Sequence, residues 1–190
     1  SLPKDKERWP SVDIFIPTYN EPLDVVKPTV YAALTVDWPK EKLNVYILDD
    51  GSRKEFKDFA CEVGAGYIER EEHKHAKAGN INHAMGITKG DFIAIFDCDH
   101  VPVKTFLQKT MGWFLKDEKI ALVQTPHHFY SQDPFEKNLH LKENVPNENS
   151  LFHDFIQKGN DTWNATMFCG SCAIMRRKAL EEVGGIAVET

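Results

Sequence analysis

Apolar positions along the chain fall into two alternating rhythms. Short β-rich runs at 12–17 (VDIFIP), 43–49 (LNVYILD), 66–69 (GYIE), 91–96 (DFIAIF) and 120–124 (IALVQ) are separated by stretches with helical spacing at 23–36, 54–63, 76–88 and 105–115. This alternation predicts an α/β fold, a central, mostly parallel sheet flanked by helices. The runs at 43–49 and 91–96 are nearly continuous in apolar residues, so both strands are expected to be buried on two faces. Gly64, Gly66 and Gly90 punctuate the ends of helices. After Gln124 the rhythm fails: residues 125–150 carry prolines, histidines and few periodic apolar positions, which reads as a long surface excursion with room for one helix. A strand over 167–175 and a helix over 177–183 are expected to follow. No repeat or linker divides the chain, so residues 1–190 read as a single domain. The lack of a closing element at Glu189-Thr190 suggests that it is truncated at its C-terminus.

Composition narrows the picture. A chain of 190 residues, 42% hydrophobic, can bury one substantial core. A net charge of −6 argues against a general nucleic-acid-binding surface, and no nucleic-acid partner is expected. No apolar run approaches the roughly 20 residues of a membrane span, so this piece is expected to be soluble. Cys61, Cys98, Cys169 and Cys172 are scattered, which suits reduced thiols. Cys169-Gly170-Ser171-Cys172 lacks a second cysteine pair for zinc, and its apolar continuation reads as a strand, whereas a redox pair usually opens a helix.

Candidate chemistry lies where two apolar runs end in acid. Asp97-Cys98-Asp99 closes the run at 91–96, and on a strand the two aspartates would project to one side while Cys98 turned into the packing. The carboxyl ends of parallel strands are where open α/β sheets bind ligands. Asp49-Asp50 closes the run at 43–49, followed by the turn residues Gly51-Ser52. If the two strands are near neighbours, up to four carboxylates face one crevice. Two unit charges about 4 Å apart at an effective dielectric near 20 repel by roughly 4 kcal/mol, so something must relieve them. A proton, a cation or hydrogen bonds from a bound ligand would serve. Oxygen ligands in such a crevice suit Mg²⁺ or Mn²⁺ held together with substrate phosphates. The competing reading makes Asp99 a turn former and Asp49 a helix cap.

The ordered set Pro17-Thr18-Tyr19-Asn20-Glu21, Asp49-Asp50-Gly51-Ser52, His75-Ala76-Lys77-Ala78-Gly79-Asn80, Asp97-Cys98-Asp99-His100, Gln124-Thr125-Pro126-His127 and Phe168-Cys169-Gly170-Ser171 resembles family 2 glycosyltransferases, and within them the bacterial cellulose-making branch. The resemblance runs from about Val12 to Thr190. It implies a GT-A (Rossmann-like) nucleotide-sugar-binding fold, UDP-glucose as donor, Mg²⁺ or Mn²⁺ as cofactor, and inverting transfer to the 4-hydroxyl of a growing β-1,4-glucan. Carried over by position, Tyr19 would stack on the uracil with Thr18 and Glu21 beside it, and Asp50 would lie near the uridine. Lys77 would meet the diphosphate or the sugar, Asp97 and Asp99 would hold the metal as catalytic residues, and Phe168, Cys169, Gly170 and Ser171 would bind the acceptor. The family's general base, the aspartate of a Thr-Glu-Asp motif, would lie beyond residue 190, as would its Gln-x-x-Arg-Trp motif. The piece alone is therefore expected to bind nucleotide weakly and to be inactive. The resemblance further implies a parent protein in the bacterial inner membrane, this domain on its cytoplasmic side, with a periplasmic partner subunit and regulation by cyclic di-GMP.

Each residue also has a plainer reading. Tyr19 could finish the core, Lys77 could be an ordinary surface lysine, and His100 suits a metal or a loop equally. Glu69-Arg70-Glu71-Glu72 reads as a solvated face and His73-Lys74-His75 as a polar loop. Rival functions are another processive synthase acting on a related sugar nucleotide, such as a chitin or hyaluronan synthase, and a non-catalytic nucleotide-binding or scaffold module. A nucleotidyltransferase is disfavoured, because no glycine-rich phosphate loop is present.

Overall fold

Seven consecutive buried residues, Val12–Thr18, make β1 the centre of the molecule. The structure is a computed structural model that describes residues 1–124, 130–131, 156–158 and 172–186. Following β1 come α1 (Leu23–Leu34), β2 (Leu43–Asp49), α2 (Lys54–Val63), β3 (Gly66–Ile68), α3 (Ala76–Ile87) and β4 (Phe92–Ile95). Then come β5 (Val101–Pro102), α4 (Phe106–Lys116), β6 (Ile120–Gln124), β7 (Tyr130–Ser131), β8 (Ile156–Lys158), β9 (Ala173–Arg176) and α5 (Arg177–Glu182). The main sheet has the order β3-β2-β1-β4-β9-β6-β8, and β5 pairs with β7 in a separate ribbon. Strands β3, β2, β1 and β4 are parallel neighbours; β9 runs antiparallel to both β4 and β6, and β8 antiparallel to β6. The expected mostly parallel sheet is therefore present.

Strand alternation sends the two sides of β1 into two cores. Val12, Ile14 and Ile16 pack with Val26 and Val30 of α1, Phe56 of α2 and Phe106 of α4 on one face. Phe15 packs with Ile81 and Ala84 of α3 and Leu180 of α5 on the other. Helices thus cover both faces, as parallel strands require. Strand β4 is buried throughout, as its composition predicts. The first half of β2 is more open than expected, because its outer neighbour β3 pairs only with Tyr46, Ile47 and Leu48. One further expectation is corrected: strand β4 stops at Ile95, before the aspartates. Strands β2 and β4 flank β1 on its two sides. The short strands β5 and β8 carry too few residues to show a period. The expected strand over 167–175 is found as β9, its first residues lying outside the described ones, as does most of the excursion after Gln124. Among the described residues no helix is long and apolar enough to cross a membrane.

At the end of the sheet opposite the strand tips, Asp13 is fully buried on the α3/α5 face. It accepts hydrogen bonds from Arg177 Nη2 at 2.9 Å, the Gly90 amide at 2.6 Å and Asn44 Nδ2 at 3.3 Å. Arg177 also donates to the carbonyls of Gly90 and Met85 and to Thr88 Oγ1, so one ion pair ties β1, α3, the start of β4 and α5 together. A buried charge stripped of its partner is costly. Arg177→Ala and Asp13→Ala are each expected to lower unfolding free energy by about 3–5 kcal/mol, read as a shift in urea denaturation midpoint. Substituting both with apolar residues recovers part of that loss.

Candidate functional site at the strand tips

The register aligns Thr18 at the end of β1 with Asp49 at the end of β2, and the Asp50 amide donates to the Thr18 carbonyl at 2.9 Å. On the other side of β1, the Phe96 amide donates to Phe15 O at 2.9 Å and carries the chain past β4 into the Asp97–Asp99 turn. Tyr19, Asp50 and Asp97 therefore sit beyond three adjacent strands at one end of the sheet. A cavity of about 360 Å³ opens there, lined by Thr18, Tyr19, Glu21, Asp50, His73, Lys77 and Asn80 among others. An outer extension shares Tyr19, Asp50 and His73. Five of the six residues expected to hold a nucleotide sugar, Thr18, Tyr19, Glu21, Asp50 and Lys77, line one pocket, and the sixth, Asp97, contacts Lys77 Nζ at 2.6 Å.

The four aspartates do not share one open crevice as expected. Asp49 is completely buried and accepts from the amides of Gly51 and Arg53 (3.0 and 2.7 Å), from Arg53 Nε and Nη2 (3.2 and 3.0 Å) and from Tyr67 Oη at 2.9 Å. It organises the turn into α2, and Gly51 is required there because a Cβ would collide with the Tyr19 carbonyl and the Arg53 side chain. Burial, followed by this carboxylate, raises the Tyr67 hydroxyl pKa. Asp50 lies in the cavity wall in a two-pronged pair with Arg70, Nε to Oδ1 at 2.8 Å and Nη2 to Oδ2 at 2.9 Å. Arg70 was expected on a solvated face, but its side chain is only 7% exposed. It also donates to the carbonyls of Lys74 and Ala76, pinning the loop that leads into α3. That loop carries two non-glycine residues with left-handed backbone, His75 (φ 63°) and Ala76 (φ 43°).

The acidic pair after β4 is held by a turn, since the His100 amide donates to the Asp97 carbonyl at 3.1 Å. Convergence of the two carboxylates thus comes from the turn and not from strand alternation. His100 Nδ1 lies 2.7 Å from Asp99 Oδ1 and 3.9 Å from Asp97 Oδ2, so both reach one imidazole nitrogen. Asp97 is mostly covered, at 18% exposure, whereas Asp99 is 62% exposed. Cys98 is buried, as the alternation argument expected. Its thiol donates to Glu21 Oε1 at 3.3 Å, and burial, with Glu21 and the flanking aspartates adding to it, pushes its pKa up to about 12. From α1, Thr29 Oγ1 lies 2.9 Å from Cys98 O and 2.7 Å from His100 O, holding the turn from behind. Cys61, Cys98 and Cys172 are free thiols.

Tyr19 is 63% exposed, which removes the core reading. Asn80 donates to the Leu48 carbonyl at 3.0 Å, while its Oδ1 is buried without a partner in the cavity wall. Sequence reasoning missed Arg53, Arg70, His73 and Asn80. Only the clustering of Asn80 with Lys77 three residues earlier, on one helix face, was a usable signal. The expected acceptor residues Phe168, Cys169, Gly170 and Ser171 lie outside the described residues.

Glu21 sits below the ordinary carboxylate range: burial pushes it up, but N–H donors from Tyr19, its own amide and Asn20, with the Cys98 thiol, outweigh that. Its contribution to stability is therefore complete above the ordinary value of 4.5 and is lost as pH falls through the lower folded value. Glu21→Gln should destabilise the domain near neutral pH, and the gap from wild type should narrow as pH is lowered from about 6 to about 3, followed by denaturation at each pH.

The glycosyl transferase family 2 model matches residues 13–184, and the chain belongs to that family. It is 61% identical over 189 residues to the UDP-forming cellulose synthase catalytic subunit of Xanthomonas axonopodis pv. citri and 58% identical to that of Pseudomonas fluorescens, covering all of this chain and 26% of each relative. Cellulose synthase 1 of Komagataeibacter xylinus is 59% identical and covered over 12% of its length. The chain thus spans about a quarter or less of the curated relatives it matches. In fold it is similar to a Pyrobaculum calidifontis mannosyltransferase solved with GDP-Man and Mn²⁺, with TM-score 0.62, 22% identity and coverage of 95% of this chain and 48% of the other. It is likewise similar to Mycobacterium tuberculosis glucosyl-3-phosphoglycerate synthase solved with Mn²⁺, UDP and glucosyl-3-phosphoglycerate, with TM-score 0.57, 18% identity and coverage of 92% and 60%. These likenesses give the fold as GT-A.

Proposed function

We propose that this domain binds UDP-glucose at the ends of β1, β2 and β4 and, within a full-length cellulose synthase, transfers the glucose with inversion to the 4-hydroxyl of a growing β-1,4-glucan. The observation that carries the reading is Lys77, which lines the same cavity as Tyr19 and Asp50 while its amine touches Asp97. An exposed aromatic residue and a compact cation thereby line one cavity, and the cation reaches the acidic pair beside it, an arrangement that suits a base, a diphosphate and a metal ion in turn. The relatives at 58–61% identity, named as UDP-forming cellulose synthase subunits, support the donor and the product.

The residues fit a divalent ion by the chemistry of their donors. Among the described residues no group of three or more His, Cys, Asp or Glu side chains is placed to hold a metal. Asp97 and Asp99 nevertheless converge on one point, and a hard cation such as Mg²⁺ or Mn²⁺ is commonly held by one or two carboxylates plus substrate phosphate oxygens. When bound, such an ion stabilises negative charge on the departing diphosphate. The chain's own residues do the rest. Tyr19 offers its ring to the uracil, with Thr18 beside it. Asp50, oriented by Arg70, presents a fixed carboxylate to the uridine, and Lys77 brings a point charge to the diphosphate or the sugar. Asn80, tied to the Leu48 carbonyl, completes the wall.

Phe168, Cys169, Gly170 and Ser171 are assigned to the acceptor by the resemblance. A base to take the acceptor proton is required, and no Thr-Glu-Asp occurs among the 190 residues. Transfer is therefore a property of the longer protein, placed in the bacterial inner membrane with this domain on the cytoplasmic side, a periplasmic partner subunit and cyclic di-GMP control.

Alanine in place of Asp97 or of Asp99 in the full-length synthase should cut polymer formation from UDP-glucose by at least about 100-fold, measured as radiolabelled glucan. Calorimetry of UDP with Mn²⁺ should show binding that EDTA weakens. Undiminished polymer output from both alanine variants would favour the scaffold reading instead, and donor competition between UDP-glucose and UDP-N-acetylglucosamine separates a cellulose from a chitin synthase.

A further inference from the structure

Both oxygens of Glu21 are already committed inside the protein. Oε2 accepts from the amides of Tyr19 and Asn20 at 3.1 and 3.0 Å and from Thr18 Oγ1 at 3.4 Å, and Oε1 accepts the Cys98 thiol at 3.3 Å. The Glu21 carbonyl is bound by Arg53, whose Nη2 also donates to Thr18 Oγ1 at 3.1 Å. A carboxylate used in this way shapes the loop that carries Tyr19. Its remaining link leads across the cleft to Cys98, which sits between Asp97 and Asp99. The two ends of the proposed donor site, 77 residues apart in sequence, are therefore joined by a side-chain hydrogen bond from the Cys98 thiol to Glu21.

We propose that Cys98 is a positioning residue: its thiol, through Glu21, locks the Tyr19 platform to the Asp97–Asp99 turn, so that base and diphosphate are recognised by one rigid unit. The inference deepens the donor-site reading above and rests on it. Packing alone would accept any small apolar residue at position 98, since the site is buried against the α1 side of the sheet. An apolar replacement keeps that packing but leaves Glu21 Oε1 without its donor and frees the Tyr19 loop to pivot. Serine keeps a donor in a similar volume. A positional link of this kind has a signature that local damage to the acidic turn lacks, because it acts on the base end of the ligand even when no metal is bound.

The experiment uses the full-length synthase with UMP as probe in EDTA, so that neither a diphosphate nor an ion bridges the two ends. Cys98→Ala should weaken UMP binding by about three- to ten-fold, the usual worth of one hydrogen bond, and Cys98→Ser should restore most of it. In a Glu21→Gln background the Cys98→Ala change should add little, because the two residues act through one link. Unchanged UMP affinity in Cys98→Ala, serine no better than alanine, or fully additive losses would each overturn the proposal. Wild-type protein that binds neither UMP nor UDP with Mn²⁺ would instead overturn the donor-site reading and this inference with it.

Discussion

Carboxylates collected at one end of a sheet repel one another, and the site is arranged around how that repulsion is relieved. Each aspartate at the strand tips has its own cationic or imidazole partner: Asp49 has Arg53, Asp50 has Arg70, Asp97 has Lys77 and Asp99 has His100. The partners are not equivalent. Guanidinium groups are permanently charged and hold carboxylates in fixed geometry, and both arginines also donate to backbone or hydroxyl groups that would be orphaned if they moved. The lysine and the histidine pair with more exposed carboxylates, Asp97 at 18% and Asp99 at 62%. The first pair therefore belongs to the architecture, and the second pair is the one a ligand and an ion can rearrange at low cost.

That division explains what was legible in the sequence. Strand and helix positions could be read because the buried runs are long and the helical ones periodic, and the acidic pairs could be read because charge at the end of an apolar run is rare. What the pattern could not show was which carboxylate is spoken for. Asp49 and Asp50 are adjacent in sequence and look alike, yet one faces the turn into α2 and the other the cavity. Arg70 lies in a run of four charged residues that any pattern reading assigns to solvent, and only the tertiary placement of β3 beside β2 brings it under Asp50. The strand argument for Asp97 and Asp99 reached the right convergence for the wrong reason, because β4 ends two residues before the pair.

Two internally hydrogen-bonded acidic groups show how location changes role. Asp13 and Glu21 lie at opposite ends of the central strand; Asp13 is fully buried, whereas Glu21 lines the cavity. Asp13 welds α5 and the start of β4 to the sheet, fixing the frame on which β1 and β4 are registered. Glu21 does the same for the loop at the other end. Its hydrogen bonds run to its neighbours' amides and to the Cys98 thiol while its side chain stays in the cavity lining.

The stretch His75-Ala76-Lys77-Ala78-Gly79-Asn80 shows the same logic at the level of the backbone. Two residues other than glycine sit in left-handed conformations, each of which costs of order 1 kcal/mol or more. Such strain persists only if the surroundings impose it, and here Arg70 imposes it by holding the carbonyls of Lys74 and Ala76 on either side of the bend. Gly79 completes the arrangement, since any Cβ there would overlap the Lys74 carbonyl and press on the Arg70 guanidinium. The bend lets α3 begin directly at the cavity, so that Lys77 and Asn80, three residues apart on one face, both line it. Moving the helix start by one residue would rotate that face by about 100° and carry the lysine away from Asp97. The strained loop thus serves to set the rotational phase of a helix, and the arginine that neutralises Asp50 is the group that sustains it.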